Sequence, residues 1–291
     1  MSALLDPVTD SDGPAAETVP HRPPPHLRPL VEMYVGYRMA GFEAGVHRGL
    51  PGRHLTVVLP FDEPLAVSWL DAPGEGASCF ETLIGGLHQT PALIHHSGCQ
   101  HGIQLSLTPE GARKLFGLPA GALASVDVPL DELWPGAREL RDRLEASRSW
   151  DERFAQLDHS LSELAGSRRV AGMGAELSEA WRLVTGSGGR IAVAEVARVV
   201  GWSRRHLSAR FTDEFGVGPK AASRIVRFER SRSMLLRHTD CTLADLAAEC
   251  GYADQSHLSR EWGSLAGASP TAWLAGEALP VVPHDDDRAW D

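Results

Sequence analysis

Two stretches of this sequence carry side chains of the kind that hydrogen-bond to the edges of base pairs. In the first, Ser203, Arg204, Arg205, Ser208 and Arg210 surround Leu207, and Phe211 follows four residues after that leucine. In the second, Gln255, Ser256, His257, Ser259 and Arg260 surround Leu258, with Trp262 at the same spacing. On an α-helix that spacing turns the two apolar residues to one side and leaves the polar set on the exposed first turns. Ser203 and Asp254 precede these helices and are good N-caps. A helix fits the major groove of duplex DNA, where arginine bridges O6 and N7 of guanine and glutamine bridges N6 and N7 of adenine. Two solvated polar faces with no partner would explain either stretch alone, but not their recurrence.

A third set lies in HQTPALIHHSGCQH, where His88, His95, His96, Cys99 and His101 fall close together. Imidazole and thiolate are ligands for zinc, nickel or copper. Neighbouring residues of a strand face opposite sides, which separates His95 from His96, and the spacing fits no zinc signature. These are expected to be ordinary turn histidines, with no metal and no other cofactor. Catalytic signatures are absent too: there is no nucleophile elbow, HExxH, P-loop or GxGxxG after a strand, so an enzyme is not expected.

The elements that must position the two polar stretches repeat. Residues 193–222 (VAEVARVVGWSRRHLSARFTDEFGVGPKAA) superpose on 243–273 (LADLAAECGYADQSHLSREWGSLAGASPTAW) with one extra turn residue in the second copy. Gly201 falls on Gly251, Trp202 on Tyr252, Leu207 on Leu258, Phe211 on Trp262, Gly216 on Gly267 and Pro219 on Pro270. Each copy is a short apolar-periodic helix, a glycine, an aromatic residue and a second, polar helix, which is a helix-turn-helix. The tandem, with GWSRRHLSARF, FGVGPK, the bridging RIVRFERSRSMLL, GYADQSHLSREW and ASPTAW, resembles the DNA-binding module of the AraC family of bacterial transcription regulators. The resemblance covers roughly the last third of the chain. It departs at Ala209, where the family often has a basic residue, and at Glu261 and Gly263, which make the second reading helix less basic.

Net charge is −10 over 291 residues, the wrong sign for a DNA-binding protein. The charge is local, however. Between 190 and 237 there are 11 basic and 4 acidic residues, and between 238 and 277 there are 1 basic and 6 acidic. The positive footprint belongs to the first copy and the bridge, and acids elsewhere are largely screened beyond ~8 Å at physiological salt. No run approaches the ~20 apolar residues of a membrane span, and the acidic, Pro-broken N-terminus does not have the shape of a signal peptide, so a cytoplasmic location is expected. Cys79, Cys99, Cys241 and Cys250 have no CxxC spacing and are expected to be reduced.

The rest of the chain reads as an α+β assembly. Residues 1–25, closed by Pro23, Pro24 and Pro25, are expected to be a disordered arm. From Leu30 on, the β-prone runs MYVGYRM, HLTVVLP, LAVSWL, CFETLIG, PALIHH and GIQLSL alternate with turns, as in a small antiparallel barrel or sandwich. Phe42, Phe61, Trp69 and Phe80 would fill its core or line a pocket in it. Thr108, Pro109 and Glu110 open a helix, and helices follow over 136–147 and 150–165. Strands followed by helices are similar to the cupin-like effector and dimerisation domain that many family members place first, which gives a domain over 26–166, a linker over 167–174, the all-α tandem domain over 175–280 and a tail over 281–291. Leu177, Trp181 and Val184 form the stripe of the tandem's opening helix. Along the bridge, Ile225, Phe228, Met234 and Leu235 would pack inward, with Arg224, Arg227, Arg230 and Arg232 ringing the outside. The expected partners are double-stranded DNA, a small-molecule effector, RNA polymerase and a second copy joined through Leu157 and Leu161, with no membrane. The competing class is a small-molecule or metal-binding β-barrel protein whose helical repeat is an interaction module.

Overall fold

The computed structural model describes residues 13–167, 170–237 and 241–276. Ten strands come first: β1 Ala15–His21, β2 Val31–Ala40, β3 Gly45–Gly49, β4 Leu55–Pro60, β5 Leu65–Trp69, β6 Ser78–Phe80, β7 Leu83–Gly85, β8 Ala92–His96, β9 Gln100–Leu107 and, after a helical break, β10 Asp127–Pro129. They form two antiparallel sheets, ordered β1-β2-β9-β4-β7-β10 and β3-β8-β5-β6. The sheets do not close on each other, so the barrel-or-sandwich expectation resolves to a sandwich.

Successive strand residues feed two different cores, as the period of two requires. Val57 and Ile84 point to a core shared with helices, whereas their neighbours Val58 and Leu83 point between the sheets with Tyr37, Met39, Val67 and Phe80. The larger sheet is thus covered on both faces, which is why β2 and β4 are apolar almost without alternation. Gly36, inside β2, lies against the Trp150 ring, where an added Cβ would come within 2.4 Å. Phe61 and Phe80 are core residues, and Phe42 and Trp69 pack at the edge of the inter-sheet cluster.

The helices α1 Pro109–Gly111, α2 Ala137–Ala146 and α3 Trp150–Ser167 flank the larger sheet. Thr108 caps α1 by accepting from the Gly111 amide at 2.9 Å, Pro109 occupies its first turn, and the chain runs on through a π-helical turn, Ala112–Phe116. A second turn, of 3₁₀ type, follows over Ala120–Leu123. Two expectations are corrected here. The supposed arm is structured from Ala15 to His21, where β1 pairs with β2 along its whole length and His21 stacks on Phe154 at 4.6 Å. An edge strand tolerates Pro20, and its pairing comes from β2 rather than from its own composition. The rest of that arm up to residue 12, positions 168–169 of the linker and the tail over 281–291 lie outside the described residues.

The second correction concerns the contact expected to join two copies. Leu157 and Leu161 are 0% and 2% exposed, packed in the helical core of their own chain, so no apolar stripe of α3 at these positions is left for a partner. Leu157→Arg is therefore expected to unfold the chain rather than to separate subunits, at a cost above ~4 kcal/mol for an unpaired charge in a filled core. Thermal denaturation checks this: a variant that melts with the wild type would place Leu157 outside the core.

Seven helices follow among the described residues: α4 Ala175–Gly186, α5 Val193–Val199, α6 Arg204–Phe215, α7 Pro219–Arg237, α8 Leu243–Cys250, α9 Gln255–Ala266 and α10 Pro270–Gly276. They share one core built around Phe211, Phe215, Phe228, Leu258, Trp262 and Trp273, and it includes Leu87 from the sandwich. Across the same junction Arg113 donates two hydrogen bonds to Glu214, at 2.6 and 2.5 Å, and the Arg53 amide donates to Glu229 at 2.8 Å. The 3₁₀ turn packs Gly121 so tightly on the end of α6 that an added Cβ would come within 2.6 Å of the Asp213 carbonyl.

Candidate nucleic-acid interface

The two repeats fold as two helix-turn-helix units, α5–α6 and α8–α9, strutted by α7. Each turn needs a left-handed residue after its first helix, and Gly201 (φ 72°) and Gly251 (φ 79°) supply it. At Gly251 an added Cβ would also meet the Arg190 stem at 2.8 Å. Ser203 Oγ accepts from the His206 amide at 3.2 Å and Asp254 Oδ1 from the His257 amide at 2.7 Å, so both polar helices are capped as their sequences imply. Thr242 and Asp245 add a reciprocal capping box at the start of α8.

Caps and turns fix which face of each helix is outside. In α6, Leu207 and Phe211 are buried and Arg204, Arg205, Ser208 and Arg210 are exposed; in α9, Leu258 and Trp262 are buried and Gln255, Ser256 and Arg260 are exposed. Ser203 is exposed with its oxygen lone pair engaged in the cap, which leaves its hydroxyl proton to donate. His257 and Ser259 are half-buried. His257 is the least available of the set, with its ring edge-on to Tyr252 at 5.3 Å and its Nε2 3.5 Å from Glu261.

Among the described residues, Arg204, Arg205, Arg210 and Arg260 make no ion pair or side-chain hydrogen bond within the chain. Other surface arginines do: Arg182 pairs with Glu179 and Arg198 with Glu195, each at 2.5 Å. The two polar helices thus carry four unneutralised cations, Arg204, Arg205, Arg210 and Arg260. Sequence reasoning passed over Lys220, which opens α7. It shares a shallow concavity with Arg204, Arg205, Ser208, Val193 and Ala194, and a neighbouring one with Arg224 and His257. Its position directly after Pro219, at the bridge's first turn beside the first polar helix, was the available signal.

The arginine ring expected around α7 is not a ring. Arg224 Nε and Arg227 bond to Glu261 at 3.1 and 3.0 Å, Arg227 also reaches the Gly189 carbonyl at 3.1 Å, and Arg232 is 4% exposed. Glu261, which looked like a departure weakening a DNA-binding helix, is 7% exposed and ties α9 to α7. Trp262 completes this joint by donating its indole N–H to Ser231 at 2.8 Å.

His95, His96, Cys99 and His101 line one small cavity, with His88 elsewhere, but no group among the described residues is arranged to hold a metal. His88 bonds to the Thr90 carbonyl at 2.6 Å, His95 pairs with Ser68 at 2.8 Å, His96 faces His47 at 5.7 Å, His101 lies 3.3 Å from Asp62, and Cys99 is exposed. Burial holds His88, His96 and His101 below the usual imidazole range. No helix among the described residues is long and apolar enough to cross a membrane.

Comparison with known proteins agrees with this geometry. Residues 196–276 match the family model of a helix-turn-helix domain. An uncharacterized HTH-type transcriptional regulator of Staphylococcus aureus is 30% identical over 99 residues, a match that covers 34% of this chain but spans only 13% of the length of that protein. Over nearly the whole chain the fold is similar to ToxT of Vibrio cholerae, with a TM-score of 0.53 at 12% identity covering 89% of this chain and 98% of that one. It is also similar to unsaturated fatty acid-bound ToxT, with a TM-score of 0.51 at 10% identity covering 93% and 98%. At such identities the likeness is one of fold. With both helix pairs, their caps and their glycine turns in place, the C-terminal third of this chain is the tandem helix-turn-helix domain of the AraC family.

Proposed function

We propose that the chain is a DNA-binding transcription regulator that lays α6 and α9 into neighbouring major-groove segments and answers to a small molecule held by the sandwich. The observation that carries the reading is the pair of capped, outward-facing helices whose cations have no partner in the chain. Unpaired arginines on such faces are suited to phosphate and base contacts, whereas an interaction module for another protein would call for an exposed apolar patch there. A fatty acid-bound ToxT of similar fold supports the effector half of the proposal. Because α3 buries Leu157 and Leu161 within one chain, the binding unit we propose is a single copy with two reading helices. Pairing of copies, contact with RNA polymerase and a place in the cytoplasm belong to the regulator's action at a promoter rather than to this geometry.

The test is binding to random-sequence duplex across a salt series, followed by sequencing of the fragments the protein retains. Steep salt dependence and an enriched asymmetric site are expected. Salt-insensitive or absent binding would leave the helices as an interaction module.

A further inference from the structure

We propose that the cavity where the sandwich meets the second helix-turn-helix unit binds a small carboxylate that also bears an amino or hydroxyl group, and that this ligand ties α10 and α7 to β3. The proposal rests on reading the sandwich as the sensing half, and it adds the site, the ligand class and the route to the DNA-binding helix.

The cavity holds about 120 Å³. Its apolar walls include Val58, Val67, Ile94 and Trp69 from the sandwich, and Arg232 and Trp273 close it from the helical half. Five residues of its lining each carry a buried polar atom with no hydrogen-bond partner among the described residues: Arg48 Nε, Arg232 Nε, Trp273 Nε1, His47 Nδ1 and Asp127 Oδ2. Native proteins leave few such groups unsatisfied, and five of the thirteen among the described residues belong to this one lining, which suits it to a polar ligand.

The chemistry of that set selects the ligand. Arg48, Arg232 and Trp273 offer N–H donors, two of them on groups that stay charged at any physiological pH, and no carboxylate of the described residues pairs with Arg232, which is 4% exposed. A carboxylate is the matching acceptor for the two guanidiniums. Asp127 offers an acceptor, which an ammonium or hydroxyl group would fill; burial pushes its carboxyl up to about 6, and a donor there would favour the charged form. Size sets the limit, since a cavity of about 150 Å³ takes a molecule the size of benzene, which excludes a long acyl chain. A small amino or hydroxy acid meets all three requirements.

The site also reaches the reading helix. Trp273 packs on Trp262 of α9 at 5.5 Å between ring centres, and Trp262 hydrogen-bonds Ser231, the neighbour of Arg232. A ligand that holds Arg48 on β3 and Arg232 on α7 therefore fixes the core behind α9 against the sandwich.

The experiment is isothermal titration and thermal-shift measurement on the full chain with four probes: a panel of the free amino acids, small 2-hydroxy acids, octanoate, and amino alcohols matched to the amino acids but lacking the carboxylate. Saturable binding of at least one amino or hydroxy acid is expected, with no response to octanoate or the amino alcohols. Arg232→Met and Asp127→Asn should each weaken it about tenfold or more. Since Arg232 is in the core, Arg48→Met at the rim is the second variant, with the same expected loss in a chain whose unliganded melting is unchanged. Binding of octanoate alone would overturn the ligand class while leaving the sandwich as a sensor. A response to none of the four, in protein that still binds DNA, would overturn the site. Binding unaffected by all three variants would place the ligand elsewhere and overturn it equally.

Discussion

Arg205→Ala is expected to weaken binding to every duplex sequence and to flatten the dependence of log affinity on log salt by about one, whereas Arg260→Ala should leave random-duplex affinity within about twofold of wild type. Both side chains are exposed and free of intramolecular partners, so the difference lies in their company. Arg205 shares its concavity with Arg204 and Lys220, while Arg260 is the sole basic residue between 238 and 277. Three cations facing one phosphate-lined groove act together on affinity. A lone arginine acts on the base it meets, and its loss should cost ~1–3 kcal/mol on the selected site in one half only. Binding of both variants to the selected site and to random duplex, at two salt concentrations, separates the two roles. Equal losses on random duplex would mean that this asymmetry does not govern docking.

The six acids between 238 and 277 contribute less to that asymmetry than their number suggests. Asp245 and Asp254 hold helix caps and Glu261 is buried against two arginines, so the phosphates meet a surface nearer neutrality than the sequence sum. The first unit leads because of the cations it shows, not because of acids on the second.

Glu261 is the position where a large effect on stability and an opposite effect on binding are expected together. Glu261→Ala removes the acceptor of Arg224 and Arg227 and leaves the Arg227 side chain, 16% exposed, without its carboxylate. Breaking a buried pair from one side costs about 3–5 kcal/mol. Glu261→Gln keeps the shape and one acceptor oxygen, and about 1–3 kcal/mol should be lost. In the folded glutamine variant two arginines beside Lys220 are released from their counter-charge, so non-specific affinity at low salt should rise and the salt slope steepen by about one to two. Urea unfolding and duplex titration measure the two effects. A stable Glu261→Ala, or a glutamine variant with an unchanged salt slope, would show that Glu261 does not neutralise this pair.

Much of this arrangement could be read from the chain because it is local. Caps at Ser203 and Asp254, left-handed glycines at 201 and 251, and the Leu207/Phe211 and Leu258/Trp262 pairs are fixed by neighbours a few residues away. What stayed hidden depends on distant partners. β1 looks like a polar arm until β2 lies beside it. Periodicity identified the apolar faces of α2 and α3 but not that their own sheet covers them. Likewise an arginine on a helix looks solvated until Glu261, 34 residues beyond Arg227, arrives to hold it. The cavity has the same origin, since its polar atoms come from segments as far apart as β3 and α10.

Leu87 belongs by sequence to the sandwich and by packing to the core of the helical half, where it is 0% exposed. A chain parsed into two modules on paper therefore has a shared interior, reinforced by Arg113 on Glu214 and Arg53 on Glu229. Separate melting of either half would strip the apolar cover from Leu87 and strand Glu214 without its counter-ion. Scanning calorimetry should accordingly find one heat-absorption peak with a calorimetric-to-van't Hoff enthalpy ratio near ~1, and two resolved peaks would show that the shared interior does not couple them. For anyone expressing the C-terminal third by itself, the raw apolar socket of Leu87 predicts poor solubility, and Leu87's neighbours in that socket are where solubilising substitutions belong.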